Sequence, residues 1–424
     1  MFKLGANVRQ AFFFKPNIDC FFLFFSKKRD FILRGCTFDV LLIKAIQFIK
    51  NEYKMKAYIN GRIFTGVEIL ENQCVITENN QIVAIIEPQN VPSTAERIDL
   101  KGHLLAPAFM DIQIYGGNGH LFGEFPSVEA LKATYDYCLE GGATHFLPTV
   151  ATNSETIMLD AIEAVRDYWA QGGKGVLGLH LEGPYINKVK RGAHLIEHIK
   201  KHPSVSDVKK WLDKGKGIVK IMTLAPEVCS DEVIDLLQSN GIIISAGHTN
   251  ATFAEATAAF DKGIHLATHL FNAMSPLQHR AAGMVGAIFE HPKVQASIVA
   301  DGYHVDFEAI RIAKKILGER LFFITDAVTT NTEGAYSHRL EGEKYVIADG
   351  TLSGSALTMV KCVKNGIEKA GISLEEALRM ASLYPAKAVG LAHQFGKIEK
   401  GFAADFVLLN DNLNLIRLDP NLVK

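Results

Sequence analysis

Five apolar runs along this 424-residue chain end in side chains that can do chemistry. Their ends read His180-Leu-Glu182-Gly-Pro, Ser245-Ala-Gly-His248, Ala267-Thr-His269, Ala300-Asp301-Gly-Tyr-His304 and Thr325-Asp326-Ala. Beyond His180, a Glu, three His and two Asp converge if these ends share one rim. Any one alone reads as a hydrogen-bonded structural group; chance provides the whole set far less often. Two imidazoles and one carboxylate suit zinc or another borderline divalent ion, with a position left for water. Such an ion lowers the pKa of that water from about 15.7 toward ~7 and polarises a carbonyl. Asp326 can take the water proton and return it to the leaving group, which an amine needs when an amide is hydrolysed.

The other histidines read differently. His180 lies two residues before Glu182, on the same face of a strand, and is expected deeper, in the core or behind the site. His145 and His265 are given the same structural reading, while His103, His291 and His338 read as surface or loop residues.

The elements that must present this rim form a regular series. Buried-looking apolar runs fall at 104–114, 144–150, 176–181, 218–224, 242–245, 265–268, 294–300 and 321–325. Between most of them lie segments of helical periodicity, among them 128–139, 155–169, 231–237, 254–260 and 307–317. Strict strand–helix alternation implies a parallel sheet with helical crossovers. Eight such units over about 220 residues fit a closed (β/α)₈ barrel better than an open doubly wound sheet, and a barrel carries its site at the C-terminal strand ends. No GxGxxG follows the first strand and no P-loop occurs, against nucleotide binding.

Short alternating segments at 56–63, 74–78 and 81–86 read as strands of a small β unit, and 405–409 as a strand from the other end of the chain that completes it. The expected organisation is an α/β protein: a barrel over 107–390 beside a small β-sandwich built from 55–106 and 391–424. Residues 1–54 are Phe-rich with interleaved Lys and Arg and keep no helical period. Their longest uncharged apolar run is too short to span a bilayer, and no signal-peptide cleavage site follows. They are read as an extension outside the fold.

Charge is nearly balanced, at −1 with 45 basic and 46 acidic residues, which argues against a broad nucleic-acid footprint. Six cysteines without a CxxC pair indicate neither a disulfide framework nor a thiolate zinc site, and a reducing cytoplasm is the simplest compartment.

At these residues the chain resembles the amidohydrolase superfamily, and within it the N-acetylglucosamine-6-phosphate deacetylases. The stretches that carry the resemblance are HLEGPYINKVKRGAH (180–194), TLAPE (223–227), SAGHTNA (245–251), ATHLFNAMSPLQHR (267–280), ADGYHVD (300–306), TDA (325–327), LSGSALTM (352–359) and ASLYPAKAVG (381–390). The resemblance implies hydrolysis of an acetamide on an amino-sugar phosphate, in amino-sugar catabolism or cell-wall sugar recycling. It assigns Glu182, His248 and His269 to one divalent ion per subunit, zinc being the expected one, and Asp326 to acid/base catalysis. Asn272 and Ala273 match a sugar-phosphate segment, Ala193 a backbone contact, and His194 and His304 positions near the amide and sugar. Leu352, Ser353 and Gly354 match a loop that closes over the ligand. Arg280 matches a phosphate-binding arginine that reaches the neighbouring subunit's site, implying a homodimer. A planar guanidinium suits that task.

Many superfamily members carry His-x-His at the end of strand one, supporting a second metal. Here the place reads Asp111-Ile-Gln113-Ile-Tyr115, hence the expectation of a single ion. After Arg280, Ala281-Ala282-Gly283 stands where relatives often have an acidic residue and Pro. Competing readings are the galactosamine epimer as substrate, a cyclic amide hydrolase or deaminase, and a non-catalytic sugar-binding barrel. The cyclic amide hydrolases and deaminases commonly use the strand-one histidines with a strand-four lysine. Lys220 sits inside the run 218–224, and the histidines are missing. A non-catalytic barrel would be expected to have lost part of the set Glu182, His248, His269 and Asp326.

Overall fold

Residues 55–416 are described by a computed structural model. Eight strands form one sheet in chain order: strand one (Phe109–Ile114), two (Ala143–Ala151), three (Leu179–Glu182), four (Val219–Leu224), five (Ile243–Ala246), six (Leu266–Ala267), seven (Gln295–Val299) and eight (Leu321–Ile324). Every neighbouring pair is parallel. Strand one is buried along its whole length, as a strand covered on both faces must be. Helices such as Val128–Glu140, Glu155–Ala170 and Phe253–Asp261 cross over between strands, begun by Ser127, Ser154 and Thr252, whose hydroxyls accept first-turn N–H groups.

The sheet closes on itself between strands eight and one. At the rim Asp326 N donates to the Gln113 carbonyl (3.0 Å) and Tyr115 N to that of Ala327 (2.9 Å). Below the rim the Thr325 hydroxyl donates to the buried Asp111 carboxylate at 2.5 Å. Burial pushes Asp111 up to about 7 against the pull of Thr325 and of backbone N–H groups. The seam thus fixes Gln113 and Asp326 in one register.

The run 104–114, expected as one strand, is two. Leu104–Pro107 pairs with Arg62–Phe64 and with Phe406–Leu409, and only Phe109 onward joins the barrel. Pro107 has no N–H to continue a ladder, and Ala108 N already donates to Asp405 O at 3.0 Å. The run 56–63 divides likewise at Asn60, whose φ of 56° turns the chain between sheets. Two four-stranded sheets result. One holds Gln81–Ile86, Cys74–Glu78, Lys56–Ile59 and Glu96–Asp99; the other holds Phe406–Leu409, Leu104–Pro107, Arg62–Phe64 and Ile69–Leu70. Tyr58, Val75, Ile82 and Ile98 of the first pack with Ile63, Leu105 and Leu408 of the second. A strand from each end of the chain therefore shares one sheet, as the alternation pattern implied.

Leu352–Gly354 is not a loop. Leu352–Ser355 is a strand of a three-stranded antiparallel sheet with Lys344–Val346 and Arg339–Glu341, inserted after strand eight. No helix among the described residues is long and apolar enough to cross a membrane. The extension 1–54 and the chain end beyond 416 lie outside the described residues.

Candidate active site

The strand ends turn sharply where the functional side chains leave them. His248, His269 and Asp326 have φ of 48°, 35° and 55°, left-handed backbone that a non-glycine residue adopts only when its surroundings hold it there. After Glu182 the turn needs glycine: at Gly183 (φ +94°) a Cβ would stand 2.0 Å from Thr152 Oγ1.

These turns bring three ligand atoms together. Glu182 Oε1 lies 3.2 Å from His269 Nε2 and 3.3 Å from His248 Nε2, and the two nitrogens are 3.0 Å apart. All three residues are buried, and their ligand atoms fall within 4.8 Å of one another. The Lys190 carbonyl, 2.9 Å from His248 Nδ1, can only accept, so the proton sits on Nδ1 and the Nε2 lone pair faces the cluster. Acceptor atoms this close, with no donor side chain between the two nitrogens, repel unless a proton or a cation joins them. A divalent ion fits the donor set: two imidazoles and one carboxylate. His269 Nδ1 is buried without a hydrogen-bond partner among the described residues.

The second Glu182 oxygen is held from behind. Tyr115 OH donates to Oε2 at 2.5 Å. Thr152 N–H donates to His194 Nδ1 (3.2 Å), which puts the His194 proton on Nε2, 3.1 Å from the same Oε2. Gln113 Nε2 donates to Asp326 Oδ1 at 2.8 Å and lies 3.0 Å from Glu182 Oε1. Asp301 accepts from the Tyr303 and His304 N–H groups and pairs with His304 Nδ1 at 2.6 Å, leaving His304 Nε2 aimed at Asp326 Oδ2, 3.6 Å away.

Electrostatics follow from burial and these contacts. Burial works against a charged Glu182, yet His248, His194 and His269 outweigh it and hold the carboxyl well below the usual range. Burial, with His194 adding to it, pushes His248 down to about 4, so that ring is neutral. His269 is raised despite burial, by its hydrogen bond to Glu182 and the charges of Glu182 and Asp326. Asp326 is raised chiefly by burial, with His304 and His269 pulling it back.

The cluster opens into a cleft of about 180 Å³. Every candidate site residue except Arg280 lines it: Asp326 and the trio at the base, with His194, Ala193, Asn272, Ala273 and His304 around them, and Leu352, Ser353 and Gly354 above. Arg280 is exposed beside the Gln278–Ala281 turn and lines no part of this chain's own cleft. Three polar side chains of the cleft lie outside the set that the sequence singles out. Tyr115 stands out in the sequence only as a non-histidine at the end of strand one. Tyr336 and His338 sit on the insertion after strand eight, where no periodicity marks them. His338, read as a loop residue, is buried against Ser353 (2.9 Å), and burial pushes it down to about 4. His265, read as core, is exposed, because strand six begins only at Leu266. His180 is in the core: it contacts the Ile112 carbonyl and Thr223 Oγ1, and burial pushes it down to about 4.

Known proteins resemble this chain in sequence and in fold. Residues 104–424 match the amidohydrolase family and residues 55–105 the NagA composite domain. The chain is 35% identical over 371 residues to the N-acetylglucosamine-6-phosphate deacetylase of Haemophilus influenzae, covering 85% of this chain and 96% of that one. It is 33% identical to an N-acetylgalactosamine-6-phosphate deacetylase from a Shewanella species, with 84% and 91% covered. The crystal structure of N-acetylglucosamine-6-phosphate deacetylase from Pasteurella multocida superposes with a TM-score of 0.81 at 36% identity, covering 85% of this chain and 97% of that one.

Proposed function

The chain belongs to the amidohydrolase family, and from that premise we propose that it hydrolyses N-acetyl-D-glucosamine 6-phosphate to D-glucosamine 6-phosphate and acetate. The observation that carries this is the buried Glu182–His248–His269 cluster beside Asp326 in one cleft, in a chain that aligns with 96% of such a deacetylase. The trio would hold one divalent ion per chain, zinc by its donor chemistry, which supplies a Lewis acid and lowers the pKa of a water toward ~7.

The protein's own groups do the rest. Asp326 Oδ1 is pinned by Gln113 and its Oδ2 faces His304 and the cleft, where it can take a proton from the attacking water. The same oxygen returns that proton to the amine nitrogen as the C–N bond breaks, so amide and water become amine and acetate. His304, its tautomer set by Asp301, is placed to orient Asp326 and the sugar. Asn272, Ala273 and Ala193 offer polar contacts around the cleft, and Leu352–Gly354 cover it. Arg280, exposed and outside the lining of its own cleft, is assigned to the phosphate in the neighbouring subunit of a homodimer. The barrel is taken as 107–390, with 55–106 and 391–424 as the accompanying sandwich. A cytoplasmic setting suits the unpaired thiols Cys74, Cys138, Cys229 and Cys362.

The likeness to the Shewanella enzyme favours one second reading, the galactosamine epimer. Acetate release from both N-acetylhexosamine 6-phosphates, with and without a chelator, tests both. The glucosamine substrate should be preferred and the chelator should abolish turnover. Chelator-insensitive turnover, or no acetate from either sugar, refutes the proposal.

A further inference from the structure

Strand four contributes no side chain to the cleft, yet the motif Thr223-Leu-Ala-Pro-Glu227 closes it. Pro226–Val228 form a single 3₁₀ turn, and from it the Glu227 carboxylate reaches sideways into the neighbouring loops. One oxygen accepts from Asn187 Nδ2 (2.9 Å) and Asn250 N (2.7 Å); the other accepts from Thr249 Oγ1 (2.6 Å). All three donors are neutral, and each belongs to a loop that touches His248.

Thr249 and Asn250 directly follow His248. Asn187 lies in the loop after strand three, where its N–H donates to the His248 carbonyl at 2.9 Å. Its side-chain oxygen accepts from Val189 N (3.0 Å) and so caps the turn Lys188–Lys190. That turn presents the Lys190 carbonyl, the group to which His248 Nδ1 donates. Glu227 therefore grips His248 twice: through the backbone that follows it, and through the turn whose carbonyl sets its tautomer. Thr249 is fully buried, and its N–H and C=O pair with Ala273 O (3.0 Å) and Ser275 N (3.1 Å), which extends the tie to the loop after strand six.

We propose that Glu227 is a positioning residue, a clasp across the loops after strands three, four and five that holds the His248 imidazole in its ligating orientation. This rests on the reading of Glu182, His248 and His269 as a metal site. The left-handed backbone at His248 gives the clasp its purpose, since that conformation persists only when its neighbours fix it. Partners of a ligand's second nitrogen set its orientation and basicity; here the partner is a backbone carbonyl that itself needs anchoring.

Geometry, more than charge, is what the clasp supplies, and this separates two substitutions. In Glu227→Gln the amide oxygen keeps Asn187 and Asn250, while the new NH₂ donates to Thr249 Oγ1, which can accept. Glu227→Ala leaves all three donors without their acceptor. The test is zinc titration of the metal-stripped full chain by chelator competition, alongside thermal unfolding of the metal-free proteins. Glu227→Ala should bind zinc about 10–100-fold more weakly at a near-parental unfolding temperature, with Glu227→Gln within about threefold of the parent. Asn187→Ala should weaken zinc in the same direction, and it decides the matter if Glu227→Ala does not fold. Parental affinity in Glu227→Ala, or in Asn187→Ala where that variant decides, overturns the clasp. So does a Glu227→Gln as weak as Glu227→Ala. A parent that takes up no zinc overturns the metal reading itself, and the clasp with it.

Discussion

Asp326→Asn separates chemistry from architecture at this site, because the structure lets the amide fit. Asp326 Oδ1 accepts from Gln113 at 2.8 Å, and the asparagine oxygen keeps that bond. The new NH₂ then falls on the side of His304 Nε2, 3.6 Å away. The backbone anchor, Asp326 N to Gln113 O at 3.0 Å, is untouched. No buried group loses its partner, so metal retention and substrate affinity should survive. What disappears is the ability to hold a proton. General acid/base catalysis contributes typically 10²–10⁴-fold, and a group that serves in both the attack and the departure of the amine belongs toward the top. The expected kcat is therefore at least about a thousandfold lower, roughly 4 kcal/mol of barrier. Elemental analysis, calorimetric binding of the sugar phosphate and acetate-release kcat are measured on one preparation. A variant that keeps metal and substrate yet turns over within about tenfold of the parent refutes Asp326 as the proton carrier.

Purified protein should carry about one divalent ion per chain, lost together with activity in His269→Ala; two tightly held ions would contradict the strand-one reading. Metal uptake must displace the proton that Glu182 helps His269 keep above its usual 6.5, so affinity should fall by up to about tenfold per pH unit as pH drops below that raised value. A pH-independent affinity would show that no such proton is held. His338, pushed down to about 4 by burial, is neutral in the fold while its unfolded form charges below 6.5. The unfolded state then binds more protons, so this contribution is fully present above 6.5 and declines between 6.5 and 4, by roughly 3 kcal/mol. In His338→Gln the acid-side decline of unfolding free energy should be shallower; an unchanged slope refutes the shift. A chain beginning at Met55 should unfold and turn over as the full chain does, and a large loss of either would place residues 1–54 in the working protein.

Much of the rim was legible because a barrel separates its jobs along each strand. Apolar runs build the interior and the next polar residue meets the cleft, so Glu182, His248, His269 and Asp326 stood out at run ends without knowledge of their partners. What lay off the strands was harder. His338 and Tyr336 reach the cleft from the segment just before Arg339–Glu341, held there by Ser353 and by the Thr152 carbonyl, partners distant in sequence that no local period announces. The run 104–114 misled for the opposite reason: an unbroken apolar stretch serves two sheets, and only Pro107 marks the border.

Gln113 shows how far residue type alone can carry a reading. In the sequence it was an absent imidazole, hence an absent second ion. Placed in the barrel it is an NH₂ donor between two buried carboxylates, Asp326 Oδ1 at 2.8 Å and Glu182 Oε1 at 3.0 Å. Like charges that close raise each other's pKa in a dry site, and Glu182 is among the influences that lift Asp326. An imidazole here has one nitrogen for a ligand or one N–H for a bond, whereas the amide offers two N–H groups at one atom. Gln113 can therefore hold Asp326 and Glu182 in fixed separation, gripping Glu182 by Oε1, the oxygen that faces His248 and His269. The missing strand-one imidazole and the anchored Asp326 carboxylate are thus two consequences of the same side chain, set in register by the Asp111–Thr325 seam beneath it.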